Sequence, residues 1–192
     1  MNESNASSAT SGAPRTGPRI LIVDPKRTNL TVLARRLGEE GYRISTAEGG
    51  EAAIALLHRH HDVELILAEL YMPGISGSEF VRLVRSESAW RDIPIILITG
   101  RSAPGGAVQA YAAGADDVVL KPFHFEVLAA RIERRLARAK AIEELRLDNA
   151  VLDARVVTRA IELGEMRARL LESEAERRRL AGLVVTARPE TP

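Results

Sequence analysis

Between Arg19 and about Arg135, short apolar runs alternate five times with stretches whose apolar residues recur at the spacing of one helix face. That alternation is the mark of an α/β fold with a doubly wound, five-stranded parallel sheet. The expected strands are RILIV (Arg19–Val23), YRISTA (Tyr42–Ala47), VELILAEL (Val63–Leu70), PIILIT (Pro94–Thr99) and DVVL (Asp117–Leu120). Three of these are almost unbroken apolar runs, as strands covered by helices on both faces must be. Leu30, Leu33, Ala34 and Leu37 form the apolar stripe of a first helix, with Gly41 placed to stop it in a left-handed cap. Ala52, Ala53, Leu56 and Leu57 mark a second helix; Phe80, Leu83 and Val84 mark a third, behind a Ser76 or Ser78 cap. The fourth holds Gly105 and Gly106 near its start, which makes it the weakest.

After Pro122 the alternation stops, and no strand, proline or turn cluster appears before Arg188-Pro189. The pattern predicts one long helix or two nearly continuous ones. Ile142, Asn149, Val156, Leu163, Leu170 and Val184 fall at one heptad position, and Leu145, Leu152, Met166 and Leu180 at the other. Arg159, Ser173 and Arg177 interrupt this seam, and Asn149 is the kind of polar residue that fixes register at some cost in stability. In a parallel dimer Glu162 meets Arg167 and Arg169 meets Glu174, against one repulsive pair, Asp148 with Asp153. Ile142 to Val184 spans roughly 64 Å as a helix. A single solvated helix is the alternative, but isolated helices are marginal in water, so a homodimer is expected. The segments are then a tail over 1–18, a globular domain over 19–135, a coiled-coil helix over 136–185 and a second tail over 186–192.

Composition narrows the chemistry. The 192 residues suffice for one core plus an extension, and the net charge of +1 supplies no global field toward nucleic acid or an anionic membrane. The absence of cysteine excludes disulfides, thiolate catalysis and Cys-based zinc sites, and fits a cytoplasmic location. The opening MNESNASSATSGAPRTGP lacks the basic start and apolar run of a signal peptide, and no window approaches a membrane span. His58, His60 and His61 read as solvated residues near a helix end rather than metal ligands. Arg177, Arg178 and Arg179 have no interleaved aromatics for base stacking, so nucleic acid is not an expected partner. Trp90 reads as a packing residue in the loop before the fourth strand.

In doubly wound sheets ligands bind beyond the carboxyl ends of the strands. Asp24, Glu69, Thr99 and Lys121 stand at the ends of the first, third, fourth and fifth strands, and their convergence makes the candidate site. Glu69 is the sole carboxylate of LILAELYMPG, set where an apolar strand meets its loop.

Through ILIVDPKRTNL, LILAELYMPGISG, IILITG and GADDVVLKPF, residues Arg19 to about Arg135 resemble the response-regulator receiver domains of two-component phosphorelays. The resemblance implies a flavodoxin-like sheet and a site in which two adjacent acids hold magnesium. It also implies an aspartate that accepts phosphate, a hydroxyl and a lysine that bind its oxygens, and an aromatic that reports the change. Asp24, Thr99 and Lys121 match their positions, but Pro25 stands where the second acid belongs, Glu69 at the phosphoacceptor and Val118 at the aromatic. Glutamate carries its carboxylate roughly 1.5 Å further from the backbone, and a misplacement of about 1 Å costs on the order of 100-fold in such a transfer. Loss of the acid at Pro25 weakens a magnesium site, because hard divalent ions want several oxygen ligands. The expectation is a stand-alone, degenerate, non-enzymatic regulator without a cofactor, acting by contact with signalling proteins such as a histidine kinase, another regulator or an output enzyme. Glu69 then either imitates a phosphoryl group beside Lys121 and Thr99 or forms a structural ion pair with Lys121. A phosphorylatable receiver, and an adaptor whose helix pairs with another protein's coiled coil, are the alternatives. The extension also resembles the linker helix of receiver proteins that end in an HD-GYP phosphodiesterase, here expected without the enzyme.

Overall fold

The computed structural model of the chain describes residues 16–100 and 105–186, of which residues 181–186 are described as backbone only. The elements run β1 (Arg19–Val23), α1 (Arg27–Glu39), β2 (Arg43–Ala47), α2 (Gly50–Arg59), β3 (Val63–Glu69), α3 (Gly77–Ser86), β4 (Ile95–Gly100), α4 (Gly106–Ala113), β5 (Asp117–Lys121) and α5 (Phe125–Thr186). All strand pairs are parallel, in the order β2-β1-β3-β4-β5. The direction of winding reverses at β1, so the crevice between the ends of β1 and β3 is where a sheet of this order takes ligands.

Alternation along each strand sends successive side chains to opposite faces and builds two cores. Leu21, Val23, Ile66, Ala68, Ile95 and Leu97 join Leu57 of α2, Phe80 and Val84 of α3 and Ala110 of α4. Ile20, Ile22, Leu65, Leu67, Ile96 and Ile98 join Leu33 and Leu37 of α1 and Leu128 and Ile132 of α5. Each fully buried Leu or Ile contributes roughly 1.5–3 kcal/mol relative to exposure, so these two layers hold the sheet. The third helix is turned slightly from the sequence reading: Val81 is buried with Phe80 and Val84, whereas Leu83 is 43% exposed. Gly41 takes the left-handed conformation, φ 93°, after α1, as its position predicts.

Ser76 rather than Ser78 caps α3. Its hydroxyl accepts from the Glu79 backbone N–H while the Glu79 carboxylate accepts from the Ser76 N–H, a reciprocal capping box. The Ser76 hydroxyl and backbone N–H hold the Glu79 carboxyl below its usual range. A carboxyl so lowered adds stability above its unfolded-state value and loses it as pH falls through the folded one. Ser76→Ala is expected to cost about 1 kcal/mol in urea unfolding, and an unchanged midpoint would show that the cap contributes nothing.

Of the expected amino-terminal tail only Thr16–Pro18 are described, and Arg43 binds two of these three. Its Nε donates to Gly17 O at 2.7 Å and its backbone N–H to Pro18 O at 3.0 Å. The remainder of that tail, Arg101–Pro104 and residues 187–192 lie outside the described residues. A single α5 replaces any break near 135, and the compact units divide later, between Lys140 and Ala141. Within the first unit, Asp117 of β5 accepts from Arg131 at 2.7 Å and faces Arg135 at 3.4 Å. Within the second, all the seam side chains from Ile142 to Leu180 are exposed, Leu163 by 65% and Met166 by 67%; the side chain of Val184 lies outside the described ones. No helix among the described residues is long and apolar enough to cross a membrane.

Candidate functional site

The carboxyl ends of β1, β3 and β5 bring three of the four strand-end residues into contact. Lys121 Nζ lies 2.5 Å from Glu69 Oε2 and 3.5 Å from Asp24 Oδ2. The Asp24 and Glu69 side chains are only 4% and 12% exposed, while Lys121 is 34% exposed, so one ammonium closes over two largely buried carboxylates. At such depth water screens the charges poorly and the pairing weighs more than a surface ion pair would.

Each carboxylate is also held by its own loop. Asp24 Oδ1 accepts from the Lys26 backbone N–H and Oδ2 from the Asn29 amide, both at 2.8 Å. Glu69 bends back so that Oε1 accepts from the Leu70 N–H at 3.0 Å, a donor it shares with Ile98 O. The longer side chain is thus spent in two directions, one oxygen on its own backbone and the other on Lys121. Gly77 makes this close packing possible, since a Cβ there would stand 2.5 Å from Glu69 O and 2.8 Å from the Leu70 Cα. Any larger residue at 77 would push α3 off the end of β3.

Thr99 departs from expectation. It is fully buried at the end of β4, and its hydroxyl has no hydrogen-bond partner among the described residues, whereas the phosphoryl-imitating reading of Glu69 places that carboxylate beside both Lys121 and Thr99. Glu69 reaches Lys121 alone, because its second oxygen is engaged by the Leu70 N–H. Val118 is buried in β5 among the core residues below α4. Pro25 brings no carboxylate to the crevice, and among the described residues no group of three His, Cys, Asp or Glu side chains could hold a metal. The exposed His58 sets its ring edge-on to the buried Trp90, 4.6 Å between centroids.

Asn29 is the contributor that sequence reasoning missed. Its signal lies in the short connection from Asp24 to α1, which forces the first helical turn over the end of β1. A polar side chain facing inward from that turn must then meet the strand-end acid.

The strand order, the crevice at β1 and β3, and an acid, a hydroxyl and a lysine at the strand ends define an α/β signalling domain of the receiver class. The chain belongs to the response regulator receiver domain family, whose family model matches residues 20–133. It is 30% identical over 172 residues to a probable cyclic di-GMP phosphodiesterase of Vibrio cholerae, a match that covers 90% of this chain and 37% of that protein. It is 33% identical over 164 residues to the phosphate regulon transcriptional regulatory protein PhoB of Rhizobium meliloti, covering 81% of this chain and 71% of the relative. Among solved structures, the receiver domain of a signal transduction histidine kinase from Syntrophus aciditrophicus superposes with a TM-score of 0.60 at 32% identity, over 63% of this chain and 91% of that one. The chemotaxis response regulator CheY4 of Vibrio cholerae gives 0.58 at 29% identity, over 62% and 99%.

Proposed function

We propose that this chain is a degenerate receiver that regulates signalling partners by contact, without accepting phosphate, and that its carboxyl-terminal helix pairs in parallel with a second copy. The observation that carries the first part is the Lys121 ammonium seated on Glu69 Oε2 at 2.5 Å. Aspartyl phosphorylation needs a carboxylate free to attack phosphorus in line and a cation to offset the developing charge. Here one carboxylate oxygen is bound to the lysine and the other to backbone.

Magnesium does not fit this set of donors. Pro25 removes one acid, and the two remaining carboxylates have a lysine between them and accept from Asn29, Lys26 and Leu70. Val118 cannot act as an aromatic reporter: a β-branched side chain is stiff at χ1, and this one is packed in the core. The match to the phosphodiesterase runs well past residue 133, which supports reading the helix as an element that couples a receiver to a signalling partner.

Incubation with acetyl phosphate and magnesium, followed by intact-mass measurement, is the test. The expected spectrum shows no phosphoryl adduct. An adduct that disappears in Glu69→Ala would overturn the reading and leave a working receiver.

A further inference from the structure

The helix beyond Lys140 carries a second apolar stripe that the parallel pair leaves uncovered. From Leu147, alternating steps of three and four meet only apolar or small residues as far as Ala175. Its large members, Leu147, Val157, Ile161 and Leu171, are 59%, 59%, 58% and 63% exposed. At 3.6 residues per turn this stripe lies about 150° around the helix from the seam of Ile142, Leu145 and Leu163. A helix used once needs one such face, so a second uninterrupted one calls for a second neighbour.

The stripe is complementary to itself when reversed. An antiparallel copy in register about residue 159 sets Leu147 against Leu171 and Val157 against Ile161, and places the small Ala154 against Gly164. In the same register Arg146 meets Glu174 and Asp153 meets Arg167, each pair occurring twice. Within its own helix Glu174 makes a long contact with Arg178, 3.7 Å, which leaves its carboxylate within reach of a facing arginine. One like-charged pair, Glu144 with Glu172, falls at the outer end. The parallel arrangement of this stripe pairs Arg167 with Glu172 and Glu174 with Arg179, but turns Arg146 and Asp153 toward Val151 and Thr158. The antiparallel arrangement also opposes the helix dipoles.

We propose that this second stripe binds another copy of the chain antiparallel, joining parallel pairs into assemblies of four chains or more. The proposal rests on the parallel pair proposed above. Because each pair presents the stripe twice, on opposite sides, the assembly grows with concentration rather than closing at one size.

Sedimentation equilibrium of the full chain tests it. The expected mass is that of four chains or more, rising with concentration, and Ile161→Glu is expected to reduce it to two chains. Leu163→Glu, on the first seam, separates the two contacts: a wild type of two chains that Ile161→Glu splits and Leu163→Glu does not would retain the second stripe and remove the parallel pair. An Ile161→Glu mass equal to that of the wild type overturns the proposal. Orientation is read with introduced thiols, since the chain has no cysteine. Val157→Cys chains mixed with Ile161→Cys chains are expected to form a mixed disulfide more readily than either forms alone, and efficient cross-linking of Val157→Cys to itself would overturn the antiparallel register.

Discussion

On the reading proposed above, Pro25→Asp combined with Glu69→Asp is expected to make the chain take phosphate from acetyl phosphate, at least about 100-fold above either single variant. The shorter side chain withdraws the carboxylate by roughly one carbon–carbon bond. That removes the reach by which Glu69 Oε2 meets Lys121 at 2.5 Å and frees the group to face the crevice. The carboxylate introduced in place of Pro25 would supply the missing hard oxygen ligand beside Asp24. Neither change suffices alone, because Glu69→Asp leaves the developing charge unmatched and Pro25→Asp leaves the carboxylate out of line. The two effects are therefore expected to be strongly non-additive, as for groups that act as a unit. Intact mass gives the measurement, and a chelator should abolish the adduct. A folded double variant that stays unmodified would place the block elsewhere, with the Asn29 and Lys26 contacts to Asp24 as the remaining obstacle.

Local patterning shows the fold of the first unit, because three of the five strands are almost unbroken apolar runs and markers such as Gly41 show where the chain turns. The four strand-end residues are equally visible, since only the parallel topology is needed to bring their positions to one edge. What the pattern does not show is how the side chains divide their hydrogen bonds. The return of Glu69 Oε1 to the Leu70 N–H and the hold of Asn29 on Asp24 depend on loop geometry finer than residue spacing. Arg85 is a further case: from α3 it donates to Gly114 O, Arg91 O, Ile93 O and the Asp116 carboxylate, pinning together the loops that lead into β4 and β5. In the sequence it is one arginine among many on a helix surface. The third helix also sits rotated, with Leu83 outward, because β-branched Val81 fits beside the sheet where the periodic pattern alone cannot choose between them.

Lys121→Met is expected to destabilise the chain by about 2–3 kcal/mol. The change leaves Asp24 and Glu69, at 4% and 12% side-chain exposure, as two carboxylates facing one another without a cation. A wholly buried pair broken in this way costs ~3–5 kcal/mol; Lys121 is one-third exposed, so solvent recovers part of the loss. The shift should appear in the urea midpoint with the slope unchanged. Adding Glu69→Gln to Lys121→Met removes one of the opposed charges and should return most of the stability, so the double-mutant cycle reports the coupling between the two residues. A loss below about 0.5 kcal/mol would make the ion pair no more than a surface contact. The cycle also bears on what the fixed charge does. If Glu69→Gln alone costs stability but leaves the affinity of a signalling partner unchanged, Glu69 and Lys121 serve as a pillar across the crevice. If it alters that affinity while Lys121→Met/Glu69→Gln stays folded, the carboxylate itself is what the partner reads, through the loops after β3 and β5 that it holds together.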